Sequence, residues 1–111
     1  MPTGTEHGYW RSICKKYMQE QRADDWRYLL KIGRTDTFLN VVDQKFYEKE
    51  YSVPMEEYGV TEELKVKDPM AWIQRYNQVR AQIKERLQQE MEDFCADYVD
   101  LFKEARKHGE S

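Results

Sequence analysis

Between Pro69 and Gly109 the chain contains neither glycine nor proline, and that uninterrupted stretch constrains the fold more than any other feature. Asp68-Pro69 is a helix start signal. An acid at the cap accepts free amide hydrogens, and proline loses nothing at the first helical position, where its missing N–H has no partner to make. Beyond it Tyr76, Val79, Ile83, Leu87, Met91, Phe94, Tyr98, Leu101 and Ala105 form one apolar stripe. Its mean step is about 3.6 residues, the period of a straight helix rather than of a 3.5-residue coiled-coil seam. Lys103, Arg106 and Lys107 suit the negative end of the helix dipole. A helix over residues 69–107 spans roughly 58 Å at 1.5 Å per residue. A compact domain of this chain length is only about 35 Å across, so the helix overhangs its own domain or bends.

The N-terminal half supplies partners for that helix. Residues 1–8 read as a lead-in without structure. Tyr9, Trp10, Ile13, Cys14, Tyr17 and Met18 recur at steps of three and four, with Arg11, Ser12, Lys15, Lys16, Gln19 and Glu20 between them on the solvent side. Asp24 and Asp25 can cap a second helix bearing Trp26, Leu29 and Leu30 and stopped by Gly33. A competing pattern exists, because Trp26, Tyr28, Leu30 and Ile32 also alternate, and residues 33–37 can turn a hairpin. Helices on either side favour helix-turn-helix over residues 26–42, since an isolated two-stranded hairpin is marginal. Phe38, Leu39, Val41, Val42, Phe46 and Tyr47 make a third stripe that decays at Glu48-Lys49-Glu50. Residues 51–68, broken by Pro54 and Gly59, read as a connector with one helical turn at Thr61-Glu62-Glu63-Leu64. The expected fold is therefore all-α: a small helical bundle, residues 9–107, in which two or three N-terminal helices pack on one long C-terminal helix. Residues 108–111 form a tail.

Composition narrows the function. Only 21 of the 111 residues are Leu, Ile, Val or Phe, and fifteen aromatics, eight of them Tyr, make up the shortfall in apolar area. A net charge of −3 separates the chain from disordered sequences, which combine low hydrophobicity with high charge. Residues 1–34 carry seven Lys or Arg against four acids, and residues 35–111 carry eleven against seventeen. The basic third can seat an acidic partner or the acidic half of its own chain. A pI near 5.5 argues against a dedicated nucleic-acid binder. Cys14 and Cys95 stand on apolar stripes, where free thiols behave as small hydrophobes; a disulfide joining two helices is the alternative. No apolar run approaches the roughly 20 residues that span a bilayer, and Met1 to Tyr9 lacks the apolar stretch of a secretory signal. The expected setting is intracellular and soluble, in the cytoplasm or an organelle interior.

Catalytic chemistry finds few carriers. The histidines, His7 and His108, lie in the terminal segments, and zinc needs three or four converging ligands. The five glycines are scattered, so no phosphate loop exists, and no base stands near Cys14 to activate it. Glu90, Asp93, Asp97, Asp100 and Glu104 follow helical spacing as an acidic stripe, and carboxylates are the ligands magnesium prefers. Glu90-Met-Glu-Asp93 resembles half of the paired motif of the all-α nucleotide pyrophosphohydrolases. That resemblance would imply a magnesium-dependent activity, but the Glu-x-x-Glu half occurs nowhere in the chain. The expectation is a non-catalytic protein-interaction module without metal or cofactor, an accessory or assembly subunit of a larger complex. Its partner is another protein, bound as a hetero-complex or as a homodimer through the C-terminal helix. The apolar contact face would be Met91, Phe94, Cys95, Tyr98, Val99 and Phe102, with the acidic stripe setting orientation. An acidic helical inhibitor seated in the basic groove of a nucleic-acid enzyme is the other reading.

Overall fold

The structure, a computed structural model, describes residues 8–109. Most of the expected lead-in and the last two residues of the expected tail fall outside that range, as does the side chain of His108. Five α-helices follow in order: α1 Tyr9–Gln21, α2 Ala23–Lys31, α3 Thr35–Tyr51, α4 Glu62–Lys67 and α5 Pro69–Gly109, with a short 3-10 turn at Met55–Tyr58. No strand occurs among the described residues. The fold is an all-α bundle in which α1 and α3 lie against the long α5. The molecule measures 64 × 22 × 18 Å, so its length is that of α5 alone and its width that of two helices.

Residues 26–42 are helix-turn-helix, and the turn shows why. Gly33 adopts φ 69, a left-handed conformation that costs glycine little. The chain reverses there, and the amide of Arg34 bonds back to the carbonyl of Leu29 at 2.9 Å. Asp24 and Asp25 do not cap α2. They lie in its first turn behind Arg22, where Asp24 pairs with Arg27 and Asp25 holds Arg22. Helix α1 is capped from a distance: Asp43 of α3 accepts hydrogen bonds from the amides of Gly8 at 2.9 Å and Arg11 at 3.1 Å. A carboxylate there also answers the positive end of the α1 dipole.

Helix α3 does not decay at Glu48-Lys49-Glu50. Phe38, Val42, Phe46 and Glu50 stand four apart on its buried face. Glu50 is fully buried because its carboxylate accepts from Trp10 Nε1 at 3.1 Å and from Arg80 Nη2 of α5 at 2.5 Å. The Arg80 guanidinium also lies over the ring of Tyr51, 4.5 Å from its centre. Three helices are thus tied through one buried pair. In the connector, Thr61 caps α4 by accepting from the amide of Leu64 at 3.1 Å. Asp68 caps α5 through the amide of Ala71, also at 3.1 Å.

The buried stripe of α5 differs from the straight one expected. Val79, Ile83, Leu87, Met91, Cys95 and Val99 are the buried apolar positions, each four residues after the last. Steps of four overshoot a helical turn by about 40°, so the buried line winds about 200° around α5 as successive helices cross it. Near the C-terminal end it has turned away from Leu101, which is 69% exposed.

Candidate protein-interaction surface

The winding of that line divides the expected contact face. Met91, Cys95 and Val99 are wholly buried; they belong to the core of the chain and are not offered to a partner. Cys14 and Cys95 are free thiols with sulfurs 3.4 Å apart, joining α1 to α5 by contact rather than by a bond. The hydrogen bond between them, followed by burial, pushes the Cys14 thiol well above its ordinary value, so it stays protonated and unreactive. The two-thiol reading of the sequence is the one the fold adopts.

Phe94, Tyr98 and Phe102 are half-buried and form an aromatic ladder leading outward from the core. Ring centres are 5.8 Å apart from Phe46 to Phe94, 5.7 Å from Phe94 to Tyr98 and 5.6 Å from Tyr98 to Phe102. Phe38 braces Tyr98 from α3 at 5.3 Å, and Lys45 stands 4.9 Å over Phe94. Aromatic pairs at such distances add to area burial and hold the rings in set orientations. At the outer end of the ladder an open trough of about 420 Å³ is lined by Arg34, Tyr98, Leu101, Phe102, Ala105 and Arg106. Leu101 and Ala105 read as part of the apolar stripe from spacing alone, and Arg34 as the last member of the basic N-terminal third; all three border this surface.

An ion pair also secures this end of α5 to the body. Lys103 Nζ bonds Asp25 Oδ1 at 2.8 Å and lies 5.2 Å from the centre of the Tyr28 ring. Burial pushes the Asp25 carboxyl up, but hydrogen bonds from Lys103 and Arg22 outweigh it and hold the group below its ordinary value.

The acidic stripe is spread along the side of α5. Glu90 is drawn toward α3 by Lys49 at 3.1 Å and stands near Arg86 of its own helix. Asp93 is exposed and accepts from Gln89 at 3.4 Å; Asp97, Asp100 and Glu104 are exposed. No group of three or more His, Cys, Asp or Glu that could hold a metal ion converges among the described residues. Within the basic third, Arg11 pairs with Asp36 at 2.9 Å, while Arg22 and Arg27 pair with Asp25 and Asp24. Two of these three pairs stay within the basic third, and the third reaches Asp36 in the acidic remainder of the chain. No described helix is long and apolar enough to cross a membrane.

A family model for the transposon-encoded protein TnpV matches residues 2–91. The chain belongs to the TnpV family. The TnpV match takes in α1 to α4 and α5 as far as Met91; Arg34 lies within it, and the α5 residues of the trough and the outer end of the ladder lie past its last residue. No curated protein and no solved structure matches the chain.

Proposed function

We propose that this TnpV-family chain is a non-catalytic interaction module, an accessory or assembly subunit that enters a larger complex through the C-terminal turns of α5. The observation that carries this reading is the free apolar face at the end of that helix, where Leu101 is 69% exposed beside Tyr98, Phe102 and Ala105. Exposed apolar surface grouped around aromatic side chains is what interfaces bury at their centres. The acidic residues Asp97, Asp100 and Glu104 run alongside and would set the orientation of what docks. The description of the family as transposon-encoded supports looking for the partner among proteins encoded by the same mobile element.

Leu101→Asp tests the reading. The residue supports nothing in the core, so the variant should keep the helical circular dichroism and the stability of the parent to within about 0.5 kcal/mol. It should nevertheless lose stoichiometric co-purification with the partner. Retention of that co-purification by the folded variant would sink the proposal. The non-catalytic part has its own test: a magnesium-dependent turnover abolished by Glu90→Gln and Asp93→Asn would overturn it.

A further inference from the structure

The trough at the end of α5 is a notch that the body leaves uncovered, and its charges define what fits there. Leu87 is buried, and Ala105 follows it by about five full helical turns. Ala105 therefore stands on the side of α5 that the body covers further back. Counting about 100° per residue, Leu101, Tyr98 and Phe102 fall within about 60° of it. The floor of the trough thus continues the side of α5 against which the other helices pack. Two arginines border it, Arg34 from the turn between α2 and α3 and Arg106 from α5 itself. Both are exposed, and neither has an ion-pair partner among the described residues. Lys103 is not a third member, because it is turned back onto Asp25 at 2.8 Å. Arg106 lies about 100° to one side of Ala105, and Asp97 and Asp100 lie about 80° and 140° to the other. Glu104, on that same acidic side, is already engaged.

We infer that the trough seats an acidic amphipathic segment of a different protein, with an aliphatic or aromatic side chain on its floor and carboxylates against Arg34 and Arg106. The inference rests on the reading of this surface as an interaction site, and it gives the partner its chemistry. A guanidinium and a carboxylate match in shape as well as in charge, and their attraction grows where an apolar contact beside them excludes water. Tyr98, Leu101, Phe102 and Ala105 recur at steps of three and four, the spacing that receives the anchors of a helix laid in a groove. A basic segment would meet like charge at both arginines. Nucleic acid brings negative charge, but its phosphate backbone offers nothing to an apolar floor, and it would meet Asp97 and Asp100 on the far flank. A second copy fits poorly. A parallel α5 would run into α1 to α3, and an antiparallel one related by a two-fold axis sets Arg106 on the same edge as its counterpart. The carboxylates of the segment therefore belong on the flank that faces Arg34 and Arg106, and the flank toward Asp97 is neutral or basic.

The full-length chain is the test material. The probe is a labelled helical peptide with Leu and Phe at steps of three and four and Glu along one flank; its control carries Lys in place of each Glu. By fluorescence anisotropy the Glu peptide should bind at least about tenfold more tightly than the Lys peptide, and added salt should narrow the gap. Arg34→Glu with Arg106→Glu changes two exposed side chains and should reverse that preference. Leu101→Asp, which spoils the floor, should weaken binding of the Glu peptide. Failure of the Glu peptide to bind, equal affinity for the two peptides, or an unchanged preference in the double variant would overturn the inference. Tighter binding of labelled duplex DNA than of the Glu peptide would overturn it too, in favour of nucleic acid. A photo-reactive residue at position 101, used in cells, separates failure of this inference from failure of the interaction reading beneath it. An adduct whose attached segment, located by mass spectrometry, is acidic and amphipathic supports both. An adduct with a segment free of acids, or with a second copy, overturns the acidic partner and keeps the interaction reading. No adduct overturns both.

Discussion

Asp25 carries one of the three long-range ion pairs that fasten α5 among the described residues, beside Glu50–Arg80 and Lys49–Glu90. Arg22 and Lys103 hold its carboxyl below the ordinary value of 3.8. The unfolded chain therefore takes up that proton at a higher pH than the native state does. The contribution to stability is full above the ordinary value, and it is lost as pH falls from there through the lower native value. Asp25→Asn should cost about 1 kcal/mol at neutral pH, with Lys103 partly exposed and its bond screened accordingly. The difference from the parent should close under acid, as urea titrations at about pH 7 and pH 3 would show. Glu50 behaves differently because it is sealed. Glu50→Ala leaves the Arg80 guanidinium buried without a counter-charge and deprives Trp10 Nε1 of its acceptor, which should cost about 3 kcal/mol or more. Replacing both members of the pair, Glu50→Leu with Arg80→Met, should cost less than Glu50→Ala alone. Chemical denaturation of the three proteins measures this, and a double variant as unstable as the single one would refute the account.

Elements were legible in the sequence where their signals are local. The spacing of Trp10, Cys14 and Met18, the Asp68-Pro69 start and the absence of breakers through α5 all act within one or two helical turns, and each led to the right helix. What the sequence did not show depends on distant residues. Asp43 caps α1 from 35 positions away, and Glu50 extends α3 only because Trp10 and Arg80 reach it. A charged residue four positions after Phe46, continuing the row of Phe38 and Val42, was the one local trace of that site. The contact face was half legible for the same reason. Periodicity reveals that α5 has an apolar side, but which part of that side is covered depends on where α1, α2 and α3 cross it. Gly33 offers a test at this scale. With φ 69 and nothing within 4 Å of where a Cβ would stand, Gly33→Ala meets no obstacle except backbone strain. It should destabilise by about 1 kcal/mol, measured by thermal melting. An unchanged midpoint would mean that the turn does not require a left-handed residue.

Whole-molecule shape follows from an imbalance between one helix and the rest. Helices α1 to α3 cover α5 from about Val79 to Val99, the 3-10 turn and α4 cover its start, and among the described residues no element covers its end. The Cα radius of gyration is 17.8 Å, whereas a compact chain of this length would have about 13 Å. A straight helix can project in this way because each backbone hydrogen bond is made within the helix, leaving only side chains to meet water. What it cannot do cheaply is fold back, since a sharp kink needs a proline, a glycine or a break in the hydrogen-bond ladder, and residues 70–108 contain neither glycine nor proline. Small-angle scattering extrapolated to zero concentration should therefore return a radius close to 18 Å for the single chain rather than 13 Å. Hydrogen exchange on the same sample should protect amides of α5 between Val79 and Val99 and release those after Leu101 much faster, because only the former are backed by buried side chains. A compact radius with uniform protection would mean that α5 bends over its own body. The trough bordered by Leu101 and Ala105 would then be covered by the chain itself. An extended radius with a rapidly exchanging end leaves that face open, and the family's body, α1 to α4, becomes the stand that holds it out.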